Sequence, residues 1–110
     1  MVTIRSSREI DGIFRRARRA AHPLVTALAA PTLEGRCPSG RVAFVAGTRL
    51  GNAVLRNRSR RVLREAVRRA AGPWPGYDVI VIARAGTAVA AARDLDAALS
   101  TVLMRLGVTL

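Results

Sequence analysis

The chain has no lysine, one cysteine, one histidine and four aromatic residues among its 110 positions. A single cysteine, Cys37, closes no internal disulfide, and one histidine, His22, leaves no cysteine–histidine cluster to hold zinc. The fold must therefore stand without a covalent staple or a structural metal of that kind. No apolar run approaches the about 18 residues of a membrane-spanning helix, and the N-terminal MVTIRSSREID is charged where a secretion signal needs an apolar stretch. Both features lead us to expect a cytoplasmic protein. Acids are scarce as well: seven against nineteen basic residues give a formal net charge of +12. Such an imbalance opposes compaction by self-repulsion and implies a polyanionic partner.

Half of the residues are hydrophobic, mostly alanine, valine and leucine, which excludes a disordered tail and predicts one tightly packed domain over residues 1–110. Residues 6–21 have the spacing of an amphipathic helix. It opens on a possible capping box, Ser6 to Glu9, carries Ile10, Ile13, Phe14 and Ala17 on one side, and is ended by His22 and Pro23. Leu24 to Leu33 reads as a strand or strand pair broken by Pro31, Glu34 to Gly40 as a turn, and Arg41 to Thr48 as a strand ending near Gly47. A second helix is expected from Ala53 to about Ala71, with Asn52 as N-cap and Gly72–Pro73 closing it. Asp78 to Arg84 (DVIVIAR) is a buried-type strand, and Leu95, Ala98, Leu99, Val102, Leu103 and Leu106 define a closing helix. The order α-β-β-(β)-α-β-α predicts an α+β fold: a small two-layer sandwich of a roughly four-stranded sheet packed with three helices.

On a wheel of about 100° per residue, Val62, Leu55, Ala66, Ala70, Leu63 and Val67 of the second helix fall on one arc. The other side holds Arg56, Arg60, Arg64 and Arg68 in an i, i+4 row, with Arg58, Arg61 and Arg69 beside it and Glu65 as the one acid. Like charges at that spacing destabilise an isolated helix by about 0.2–0.5 kcal/mol per pair, so a merely solvated face would interleave glutamates. The arginine-rich first helix adds Arg8, Arg15, Arg16, Arg18 and Arg19. All nineteen basic residues are arginine, whose planar fork matches phosphate; a codon bias would give the same composition, so the absent lysines decide nothing alone. No helix-turn-helix, zinc-finger or heptad pattern prepares a helix for a DNA groove, which favours folded RNA, with room beside the helix for a single strand.

Other residues invite functional readings that the pattern does not support. Asp94 and Asp96 are expected to cap the start of the last helix, where acids favour the dipole, rather than to form a metal pair, and His22 suits a loop. Trp74 and Tyr77 flank a proline–glycine turn and are expected to anchor it; Cys37 falls in a turn and is given no role. Gly51 belongs to no nucleotide-binding glycine pattern.

Read as one string, Gly51 to Glu65, GNAVLRNRSRRVLRE, closely resembles the signature of the protein subunit of bacterial ribonuclease P. The likeness extends more weakly over nearly the whole chain, through Phe14, the strand before Gly51, DVIVIAR and the leucine-rich last helix. It implies a ribonucleoprotein that removes the 5′ leader of precursor tRNA, with catalysis by its RNA, Mg2+ held mainly by RNA, no protein catalytic residue and one protein per RNA. It implies docking on the catalytic RNA by Asn52, Arg56, Asn57, Arg58, Arg60, Arg61, Arg64 and Arg68. It also implies a leader cleft between the first helix and the sheet, with Ile10, Phe14 and Arg49, and a left-handed βαβ crossover against the usual rule. The chain departs from the family where Ile10 replaces a second aromatic one turn before Phe14, and where Gly47, Thr48 and Arg49 replace the usual Ser-Lys-Lys. A ribosomal-type structural RNA-binding protein is the main alternative, separated by the full Gly51–Glu65 string. A membrane-active cationic helix ranks behind it, because the apolar face of the second helix is needed for a core.

Overall fold

A computed structural model describes residues 3–33 and 39–109. Helix α1 spans Ser7–Arg16, with Ser6 as N-cap, its hydroxyl accepting the Glu9 N–H at 3.5 Å. The expected continuation to residue 21 does not form. Ala17 is extended, and Arg18–His22 is strand β1, paired residue by residue with β2, Val25–Pro31, across the Pro23–Leu24 turn. Strand pairing with β2 outweighs the helical preference of alanine and arginine, and proline fixes the turn that makes the pairing local. His22 serves this turn, Nδ1 accepting the Leu24 N–H at 3.1 Å. The expected Glu34–Gly40 turn lies largely outside the described residues, Cys37 included.

The chain continues through β3 (Arg41–Val45), a 3₁₀ turn at Thr48–Leu50, α2 (Ala53–Arg69), β4 (Tyr77–Ala83), a second 3₁₀ turn at Thr87–Val89 and α3 (Ala92–Arg105). The sheet order is β1-β2-β4-β3. β2 is antiparallel to β1 and to β4, while β3 and β4 are parallel, with α2 as their crossover.

The unbroken apolar runs of the central strands follow from burial on both faces. Val25, Ala27 and Ala29 of β2, with Val79 and Val81 of β4, meet Leu63 and Val67 of α2 and Leu95, Leu99 and Val102 of α3. On the opposite face Leu28, Ala30, Ala43 and Ile80 pack beneath Ile4 and Ile13. The sandwich thus consists of the sheet against α2 and α3, with α1 as a partial third layer.

A buried carboxylate fixes α1 in place. Asp78, fully buried on β4, takes Arg41 of β3 at 3.0 and 3.2 Å and Arg16 of α1 at 3.3 Å; Arg41 also pairs with Glu9 of α1, and Arg16 donates to the Pro31 carbonyl at 2.6 Å. The hydrogen bonds that Arg41 donates to Asp78 lead in raising the Arg41 pKa above its ordinary value, partly opposed by burial. Trp74 anchors the α2–β4 loop, its indole N–H donating to the Ala70 carbonyl at 3.2 Å, and Tyr77 donates to the Gly107 carbonyl at 3.4 Å. One expectation at α3 is corrected: its N-cap is Ala91, with no side-chain cap. Asp94 lies in the first turn, while Asp96 ties α3 to α2 through Arg69 at 2.9–3.0 Å.

Candidate nucleic-acid interface

The entry to α2 is set by two residues of the signature string. Gly51 has φ +120° and ψ −146°, backbone that a side chain rarely tolerates, and Asn52 caps the helix by accepting the Leu55 N–H at 2.9 Å. Arg56 fastens the junction by donating to the Gly51 carbonyl at 2.7 Å.

The arginines of α2 divide into three groups instead of sharing one surface. Arg56, Arg60 and Arg64 are half-buried along the flank nearest β3. Arg60 donates to Asn57 at 3.0 Å and to the Ala46 carbonyl at 3.5 Å, and the Arg64 guanidinium lies 5.3 Å from the centre of the Phe44 ring. Arg58, Arg61 and Arg68 are exposed and have no side-chain partner among the described residues. Arg69, expected on the same open face, is instead committed to Asp96. The apolar arc is also shorter than its spacing suggests: Leu55 is exposed, and Ser59, bonded to the Leu55 carbonyl at 2.9 Å, is the first buried residue. The first turn of α2 therefore overhangs the core. Val54, 77% exposed, lines a shallow concavity there with Asn57, Arg58 and Arg61, which puts two free guanidinium groups beside a small apolar contact.

A second concavity lies on the other face of the sheet, beyond the part that α1 covers. Val45 and Ile82 form its floor, Arg49 its rim, and Arg19, Thr26 and Arg84 also line it. Arg84 donates to the Thr26 hydroxyl at 3.1 Å. Of the residues expected in a leader cleft, Arg49 lines this hollow; Ile10, half-buried, packs on the core beneath α1, and Phe14 stands 42% exposed on α1. Arg19 and Arg84 were missed. The signal for Arg84 is strand alternation, which puts Ile80, Ile82 and Arg84 on one face, whereas Arg19 was hidden by reading its strand as helix. The described residues gather no three of His, Cys, Asp and Glu, so they offer no donor set for a metal ion, and none of their helices is long and apolar enough to cross a membrane.

An α+β scaffold with an arginine-faced helix on one side and a basic-rimmed hollow on the other defines an RNA-binding protein of the ribonucleoprotein type. A family model described as Ribonuclease P matches residues 2–107, and the ribonuclease P protein component of Herpetosiphon aurantiacus is 37% identical over 103 residues, covering 93% of this chain and 81% of that relative. The chain belongs to the ribonuclease P protein family. It is a protein subunit of ribonuclease P, the enzyme that processes the 5′ end of precursor tRNA, and it partners the ribonuclease P RNA. The protein component of Brevibacillus brevis is 31% identical over 107 residues, covering 93% of this chain and 80% of that one. The fold is shared with the Staphylococcus aureus RNase P protein, at a TM-score of 0.82 and 24% identity over 98% of this chain and 97% of that one. It is shared too with the Thermotoga maritima protein, at a TM-score of 0.78 and 24% identity over 96% and 97%.

Proposed function

We propose a division of labour between the two faces. On one, Asn52, Asn57, Arg58, Arg61 and Arg68, backed by Arg56, Arg60 and Arg64, dock on phosphates of the catalytic RNA. On the other, the hollow rimmed by Arg49 and flanked by α1, with Ile10 and Phe14, holds the single-stranded 5′ leader. The observation that carries this reading is the exposed set Arg58, Arg61 and Arg68, which engages no side chain among the described residues, on a helix whose start is set by the Gly51–Asn52 turn. Free guanidinium donors of this kind suit phosphate, and an exposed aromatic stacks on any base without demanding a sequence. Hydrolysis belongs to the RNA, with Mg2+ held mainly by RNA. The protein contributes alignment and charge neutralisation, as one cytoplasmic domain per RNA.

Cleavage of a precursor tRNA at low Mg2+ tests this, comparing a bacterial ribonuclease P RNA alone, the protein alone and the two together. Cleavage at the leader junction by the mixture alone is expected. Equal cleavage by the RNA with and without protein would remove the assisting role.

A further inference from the structure

The outer face of α1 carries a feature that the two proposed contacts leave unused. Arg8 and Arg15 lie two turns apart on nearly the same line of the helix, opposite the buried Ile13, and they line a shallow notch with Asp11 and Gly12. The side chains of Arg8, Asp11 and Arg15 are exposed and have no partner among the described residues. Gly12 sits in mid-helix, where glycine is the poorest former after proline, yet a Cβ added there would meet nothing within 4 Å. Packing therefore does not require the glycine. Its effect is to leave the backbone bare between two free guanidinium groups, which suits the close approach of a ligand.

Position in the fold indicates which ligand. α1 covers Leu28, Ala30, Ala43 and Ile80, and the hollow begins on the same sheet face one step along the strands, at Val45 and Ile82. α1 is thus the far bank of the hollow from Arg49. Around the helix the notch lies opposite Ile13, between Phe14 on one side and Glu9 and Arg16 on the other; Glu9 and Arg16 are tied to Arg41 and Asp78, so the way to the notch from the hollow passes over Phe14. Resting on the leader-cleft reading above, we infer that this notch holds the distal part of the precursor leader. Arg8 and Arg15 contact successive stretches of phosphate, and Asp11 accepts a hydrogen bond from a ribose 2′-hydroxyl, a group that DNA lacks.

The test uses holoenzyme reconstituted with ribonuclease P RNA and two precursor tRNAs, one with a short leader that ends within the hollow and one with a long leader. Arg8→Gln/Arg15→Gln is expected to weaken binding of the long-leader substrate about fivefold, a modest loss as befits exposed charges, and to flatten its salt slope by about 1.4. Short-leader binding and RNA assembly should not change. Gly12→Leu fills the notch with a good helix former and should produce the same selective loss while melting no lower than the parent, which separates the effect from unfolding. Unchanged long-leader affinity in both variants would overturn the inference, as would weaker assembly with the RNA, which would assign α1 to the catalytic RNA. If the parent protein makes no difference to leader binding at all, it is the leader-cleft reading that fails.

Discussion

Arg58 and Arg69 stand about three turns apart on one helix and carry the same group, yet their surroundings give them different work. Arg69 is held by Asp96, while Arg58 has no side-chain partner among the described residues. Arg58→Ala and Arg61→Ala should therefore each weaken assembly with the ribonuclease P RNA several-fold and leave the melting temperature nearly unchanged, since exposed substitutions stay within about 0.5 kcal/mol. Arg69→Ala should do the reverse, costing up to about 1 kcal/mol of stability with little effect on assembly. Filter binding set against thermal melts checks both. Phe14→Ala belongs to the other face: it should reduce discrimination for leader-bearing over mature tRNA by about 1–3 kcal/mol, the worth of one stacked base, without altering assembly.

The placement of α1 depends on the ion-pair network and on few apolar contacts, because Ile13 is its one fully buried side chain. Asp78→Ala would strand Arg41 and Arg16 against a buried site and should cost about 3 kcal/mol, the lower end for a buried pair because Arg16 is 30% exposed. Calorimetry on the free protein reads that loss. The raised Arg41 pKa means that the stability this residue adds is fully present below its unfolded value and is lost only as pH rises through the folded value, so it contributes no pH dependence across the neutral range. Much of this level was legible in the sequence. The limits of α2, β4 and α3 came within a few residues from periodicity and capping, and the Gly51–Asn52 start of the signature string is the entry to α2. Arg18–His22 was not legible, because alanine and arginine favour helix and only pairing with β2 makes a strand of them. The Asp78 network and the Arg69–Asp96 tie were hidden for a similar reason, joining residues 62 and 27 positions apart. The same holds for the hollow, which gathers residues from all four strands and the loop after β3.

For the molecule as a whole, the net charge of +12 is spread over both faces of the sheet, with free arginines on α1 as well as on α2. If about six arginines pair with phosphates of the catalytic RNA, log affinity should fall against log salt with a slope of about −4 to −5. A flat titration would remove the phosphate-docking role. The molecule measures 37 × 30 × 22 Å, and the sheet lies between α2 and the hollow. On the proposed reading that middle layer is a gauge block. Its thickness, fixed by close-packed valine, alanine and isoleucine, sets how far the leader is held from the docked RNA, so a core substitution that swells or thins it would shift where along the precursor the cut falls, with every RNA-facing arginine intact.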